Sequence, residues 1–252
     1  MTGARPAVGA DAFLGGRLQL YQPLSGHRAG HDAMLLAAAT PGKSGDRIVD
    51  FGAGVGAAGL AVATRLAGID LTLVERDDIL ADLARRNAVL NGIAARVCIL
   101  DITAGAAAFA DAGLGPDSAD VVLMNPPFND SERHRPSPDE NRRAAHVAEP
   151  AALDRWVHAA RRALRSGGVL SLIWRSDGLA EVLAALGRGF GGVAIRPVHP
   201  DAGKPAIRIL VRAVKGSRAP LRLCPALMLA DETGLPSKES HEILSGAQVL
   251  AM

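Results

Sequence analysis

The sequence predicts an α/β fold: a doubly wound sheet of seven strands, mostly parallel, with the last strand antiparallel. Three observations carry that expectation. Short apolar runs alternate with helical stretches from residue 47 onward. A glycine-rich turn joins the first of those runs to the first helix. The last connection, residues 198–206 (VHPDAGKPA), is too short for a crossover helix, so the final run should return antiparallel to its predecessor.

Taken in order, residues 17–21 alternate polar with apolar after Gly15-Gly16 and read as a short strand. His31-Asp32 opens a small-residue helix over 33–39, which Pro41-Gly42 stops. The strand series is 47–51 (RIVDF), 71–75 (LTLVE), 97–100, 121–124, 169–174, 193–197 and 207–214. Helices are expected over 57–66, 79–90, about 150–164 and 179–186. Asp77-Asp78 can cap the second of these, whose Ile79, Leu83 and Leu90 share one face and which ends at Asn91-Gly92. Residues 227–230 read as a further short strand. Residues 1–45 form an N-terminal extension packed on a core of 46–252, one domain overall.

Composition narrows the class. The 252 residues are 48% hydrophobic and 21% charged with a formal net charge of +2, too apolar and too balanced for disorder. That charge neither requires nor excludes nucleic acid, so local patches must decide. Two cysteines, Cys98 and Cys224, without any CxxC, exclude a disulfide scaffold and a cysteine-rich zinc site and fit a reducing cytoplasm. The N-terminus lacks the basic start and apolar core of a signal peptide. The longest small-apolar run, 34–39, falls far short of the roughly 20 residues a membrane span needs. The seven histidines are scattered along the chain, so no metal is expected, and no serine or cysteine sits in a nucleophile elbow.

Two motifs point to chemistry. The first is Asp50-Phe51-Gly52-Ala53-Gly54-Val55-Gly56-Ala57-Ala58-Gly59, after a strand and opening a helix. Glycines let the backbone approach a ligand, and the helix N-terminus offers free amides. Glu75 ends the next strand, where a carboxylate binds ribose hydroxyls in nucleotide folds. This loop alone does not separate a nicotinamide cofactor from S-adenosylmethionine. Asp101 with Ile102, after the third strand, is placed to read an adenine edge.

The second motif decides between them. Asn125-Pro126-Pro127-Phe128 follows the fourth strand directly. An amine conjugated to a ring is a poor nucleophile. Accepting both of its N–H groups, on the Asn125 side-chain oxygen and the Pro126 carbonyl, favours a tetrahedral nitrogen whose lone pair faces a methyl donor. The two prolines hold Asn125 extended, and Phe128 offers a flat apolar face.

DFGAGVG, Glu75, Asp101 and NPPF together resemble a Class I S-adenosylmethionine-dependent methyltransferase of the amino-methylating group, over roughly residues 29–214. The resemblance implies a Rossmann-like seven-stranded sheet. It implies Asp50, Gly52 and Gly54 around the methionine part of the cofactor, Glu75 on the ribose, Asp101 and Ile102 at the adenine, and Asn125, Pro126, Pro127 and Phe128 at the target amine. The segments HRAGHDA (27–33) and KGSRAPL (215–221) are similar to the bacterial valine-tRNA adenine-N6 methyltransferases, which modify the adenine 3′ of the anticodon. That family often has Gly-Thr-Asp where this chain has Gly30-His31-Asp32. The resemblance adds Gly30 and Asp32 to the candidate cofactor contacts and names the anticodon stem-loop of a tRNA as partner. It implies no membrane association and no obligatory protein partner.

Lys204, Arg208, Arg212, Lys215, Arg218 and Arg222 occur between residues 202 and 225 with no acid among them. Arg208, Arg212, Lys215 and Arg218 are therefore expected to contact RNA phosphates. A protected, solvated edge strand is the plainer alternative. The 129–149 loop mixes arginines, acids and prolines and reads as a flap beside NPPF. Rival activities are N5-methylation of a protein glutamine, N2-methylation of an rRNA guanine and, in another class, a nicotinamide oxidoreductase. The glutamine enzymes usually carry a helical N-terminal substrate domain, for which 45 residues are too few. A dehydrogenase gives no reason for NPPF.

Overall fold

The computed structural model describes residues 7–24, 28–127 and 152–252. A hairpin comes first: β1 (Val8–Phe13) pairs antiparallel with β2 (Leu18–Pro23). The sequence flags only β2, because VGADAF carries a glycine and an aspartate where a strand signal needs β-branched or aromatic residues. Next comes α1 (His31–Ala39), buried from Ala33 to Ala39, so small side chains let it pack closely on all sides.

The alternating series follows as β3 (Arg47–Phe51), α2 (Ala57–Arg65), β4 (Asp70–Glu75), α3 (Asp78–Leu90), β5 (Ala95–Ile99), α4 (Ala106–Asp111) and β6 (Ala119–Met124). After the segment outside the described residues come α5 (Ala152–Ala163), β7 (Leu164–Arg175), α6 (Leu179–Leu186), β8 (Phe190–His199) and β9 (Arg208–Lys215). Two short strands, β10 (Arg222–Leu223) and β11 (Leu227–Met228), and a helix, α7 (Lys238–Leu244), complete the chain.

The sheet runs β10–β8–β9–β7–β6–β3–β4–β5, with β11 also on β8. Strands β3 to β7 pair parallel, and β9 runs antiparallel to both β7 and β8. The short VHPDAGKPA connection therefore does what its length requires. The strand count is nine, not seven, because β10 and β11 add two residues each beside β8. Strand β11 falls within the 227–230 stretch expected as a short strand, whereas the two residues of β10 show no periodicity to read.

The chain builds outward from β3 through β4 to β5, then crosses to β6 on the other side. Strands β3 and β6 thus flank the point where strand order reverses, where open α/β sheets bind ligands beyond their carboxyl ends. Alternate residues of β3 feed the two faces: Ile48 joins the layer under α1, α2 and α3, while Val49 and Phe51 join the layer under α4, α5 and α6.

Helix α3 is capped as expected, its Asp77 carboxylate accepting from the amides of Ile79 and Leu80 at 2.9 and 3.1 Å. Its buried face differs from the expected one. Ala81, Leu83, Ala84, Asn87 and Ala88 face inward, while Ile79 and Leu90 are exposed. The polar Asn87 is drawn inside because all its amide valences are used. It accepts from Tyr21 N (2.7 Å) and donates to Tyr21 O (3.1 Å) and Val55 O (2.9 Å), tying β2 to the glycine turn.

The last carbonyls of α1 need partners that the helix cannot supply. Arg65 donates to Ala37 O and Thr40 O (3.1 and 2.6 Å), Arg212 to Ala39 O (2.5 Å), and the Leu250 amide to Ala38 O (3.0 Å). Among the described residues no helix is long and apolar enough to cross a membrane.

Candidate active site

Register positions the site. Phe51 pairs with Met124 across β3 and β6, so the residues after them, Gly52 and Asn125, leave the sheet side by side. The chain turns at Gly52 and Gly54 with φ of +69° and +56°, values that cost a side-chain-bearing residue free energy. The Gly52 and Ala53 amides donate to Val74 O at 2.8 and 2.9 Å, pinning the turn to β4. A Cβ on Gly54 would meet nothing within 4 Å, so this part of the cradle is open.

Gly52 is closed differently. A Cβ there would lie 2.3 Å from the Trp156 indole of α5. Sequence patterning does not flag Trp156, because a tryptophan in a helix reads as ordinary core. Gly52→Ala therefore meets both a left-handed backbone and a ring edge. We expect it to destabilise the protein by about 2–4 kcal/mol, read as a lowered thermal midpoint. Gly54→Ala should cost only the backbone strain, about 1 kcal/mol.

Glu75, at the end of β4 and 8% exposed, spends its carboxylate on the turn itself. Its Oε2 accepts from Gly54 N at 2.8 Å, and Oε1 accepts from Arg76 N and Asp77 N at 2.8 and 2.9 Å. The residue expected to hold ribose hydroxyls thus also fixes the loop below them.

Asp50 is buried at 2% exposure and accepts from Gly59 N at 2.8 Å, holding the first turn of α2 against β3. Burial pushes its carboxyl up to about 7, against the Gly59 hydrogen bond, with the Glu75 charge adding to the rise. A carboxyl raised in the folded state contributes stability that is full below its ordinary value near 3.8 and is lost as pH rises toward 7. Asp50→Asn keeps an acceptor for Gly59 and removes the titration. Its stability should fall less between pH 4 and 7 than that of the wild type, measured by urea unfolding across that range. Parallel curves would refute this assignment.

Asp101 follows β5. Its Oδ1 accepts from Thr103 N and Oγ1, both at 2.7 Å, and these bonds, joined by the Arg76 guanidinium, hold its carboxyl below the usual range. The carboxylate stays ionised and partly exposed, with Ile102 buried beside it. Asn125 is half-buried, Pro126 buried and Pro127 exposed. The Asn125 side chain has no hydrogen bond to the described residues, which leaves its amide oxygen free to accept from a ligand. Phe128 and the 129–149 loop lie outside the described residues.

The flanking candidates fare differently. Gly30 is the N-cap of α1, and Asp32 pairs with Arg208 at 2.9 Å. The expected basic stripe is not presented as one free surface. Arg208 is held by Asp32, Arg212 is turned inward onto Ala39 O, and Lys215 donates to Leu164 O and faces Asp117 at 3.7 Å. Of these four, Arg218 is the one that is exposed with no ion pair among the described residues. Strand spacing tells that Arg208 and Arg212 share a face, but α1 covers that face. Arg208 lies opposite Arg175 at the carboxyl end of β7, whereas Lys215 is roughly 23 Å of strand away, toward the opposite edge.

Comparison with known proteins settles the family. The sequence profile of the methyltransferase small domain matches residues 25–197. The chain belongs to the methyltransferase small domain family. The crystal structure of a predicted O-methyltransferase from Agrobacterium tumefaciens is 35% identical, covers 88% of this chain and 99% of its own, and superimposes with a TM-score of 0.74. A release factor glutamine methyltransferase from Chlorobaculum tepidum is 33% identical over 59% of this chain and 52% of its own length. The chain thus spans about half of that relative. A tRNA1(Val) (adenine(37)-N6)-methyltransferase from Porphyromonas gingivalis is 29% identical, over 68% of each chain. The cofactor of this small-domain methyltransferase is S-adenosylmethionine. The residues present fit it: an open glycine cradle at Gly54, an ionised acid at Asp101, and the Glu75 carboxylate at the mouth of the turn.

Proposed function

We propose that the chain methylates the exocyclic N6 of an adenine, the one 3′ of the anticodon in a valine tRNA. The observation that carries this reading is the level placement of Asn125-Pro126-Pro127 beside the Gly52–Gly54 turn, at the point where strand order reverses. S-adenosylmethionine, when bound, supplies an electrophilic methyl. The chain's own residues do the rest. Gly52, Gly54, Glu75 and Asp101 bind the cofactor. The Asn125 oxygen and the Pro126 carbonyl accept the two amine hydrogens and turn the nitrogen lone pair outward. No strong general base is needed, because the methylated amine is acidic enough to lose its proton to water. Anticodon-loop bases are already partly unstacked, so access costs little. Two of the curated relatives from Porphyromonas gingivalis carry this activity in their names and match over 68% and 61% of their length, against 52% for the glutamine enzyme.

The test is labelled methyl transfer from S-adenosylmethionine to three acceptors: total tRNA from a strain lacking the gene, a full-length release factor, and 16S rRNA. Label in N6-methyladenosine from tRNA supports the reading. Label in the release factor or in N2-methylguanosine assigns the same Asn125 chemistry to one of the rivals.

A further inference from the structure

With Arg208, Arg212 and Lys215 engaged inside the fold, cations for an RNA backbone must come from elsewhere. Helix α5 carries them. Its sequence, ALDRWVHAARRA, places Arg155, His158 and Arg162 along one side at spacings of three and four, with Arg161 beside them. This side faces a groove of about 540 Å³ closed on the other wall by residues 102–105. Asp154 is the only acid among its described lining residues.

Arg161 and Arg162 are held but not neutralised by any carboxylate among the described residues. The Arg162 guanidinium stacks 4.4 Å from the Phe109 ring centroid and donates to Ala104 O at 3.4 Å, while its Nε is buried without a partner. Arg161 is exposed; its guanidinium meets the His158 ring at 3.2 Å, and its stem lies over Gly189, where an added Cβ would fall 2.4 Å from its Cδ. Neither Arg161 nor Arg162 has a carboxylate partner among the described residues. Two guanidinium groups thus line one groove, Arg162 held against an aromatic face, and each offers the forked N–H donors that bind phosphate oxygens. The groove starts at Ile102, next to Asp101, and so opens at the rim of the cofactor site.

We propose that this groove holds the phosphodiester backbone of the RNA substrate, with Arg161 and Arg162 as its anion contacts. The inference rests on the RNA reading above and adds to it where the RNA lies. The test is tRNA binding by the full chain at several salt concentrations. Replacing both residues (R161Q/R162Q) should lower the log–log salt slope by roughly 1.5. The exposed charge reversal R161E, which disturbs no stacking, should lower it as well, with an unchanged thermal midpoint. K43Q, an exposed residue before the amino end of β3 and so on the side of the sheet away from the crevice, should leave the slope alone. Wild-type protein that binds no tRNA at low salt would overturn the RNA reading itself. Wild-type binding with a slope unmoved by R161E and R161Q/R162Q would overturn the groove alone. Inorganic phosphate at constant ionic strength supplies the last arm. If phosphate raises the midpoint of wild type but not of R161E, while the tRNA slope is the same in both, the groove takes a free anion and the RNA assignment fails.

Discussion

Asn125→Ala should lower methyl transfer by about 10²- to 10³-fold while leaving folding and cofactor affinity close to wild type. The side chain bonds to none of the described residues and leaves the sheet beyond Met124, so its removal opens no core cavity. What is lost is an acceptor fixed in place before the amine arrives, whose benefit is realised as the nitrogen becomes tetrahedral. The loss should therefore fall on kcat more than on KM. Asn125→Asp should also be impaired, though less, because a carboxylate still accepts but adds charge at the reacting nitrogen. Single-turnover transfer to tRNA measures both, with calorimetric titration of S-adenosylmethionine as the control. Near wild-type turnover by folded Asn125→Ala would remove this residue from the mechanism.

Glu75→Ala should do damage of a different kind, to the fold and to cofactor binding together. Three backbone amides, those of Gly54, Arg76 and Asp77, lose their acceptor at once. Each amide left bare costs about 1–3 kcal/mol, and water entering the vacated space recovers part of it, so a net loss of about 2–4 kcal/mol is expected. The turn that cradles the cofactor loosens in the same step, and S-adenosylmethionine affinity should fall by at least about tenfold, the equivalent of one charge-assisted hydrogen bond. Glu75→Gln keeps an oxygen for some of these amides but sets an NH₂ against another, so it should fall between. Thermal unfolding and calorimetry together decide the matter. A variant with normal stability and weakened binding would return Glu75 to a ligand role alone.

The legible parts of this molecule are those written in neighbouring residues. The Asp77 cap, the β3–turn–α2 unit and the antiparallel return of β9 each follow from a few adjacent side chains or from one connection's length. What stayed hidden depends on what comes to lie on top. The period of β9 puts Arg208 and Arg212 on one face, yet nothing local tells that α1, some 170 residues earlier, covers it. Asn87 looks like a surface amide until β2 and the glycine turn surround it. Trp156 gains its meaning from Gly52, about a hundred residues away. In α3 the exposed Ile79 and Leu90 misled because aliphatic bulk outweighs alanine in a pattern, while close packing favours the alanines.

The arrangement at the C-terminal end of α1 bears on how the chain folds as it is made. Residues 31–39 leave the ribosome early, but the guanidinium that caps Ala39 is 173 positions later, and the amide that caps Ala38 later still. Until Arg212 and Leu250 have been made, the Ala39 and Ala38 carbonyls of this buried, alanine-rich helix lack these partners and β9 is not there to complete its cover. Long-range closure of this sort slows folding and leaves apolar surface bare in the meantime. The nascent chain therefore carries an apolar, alanine-rich helix well before the residues that complete its cover.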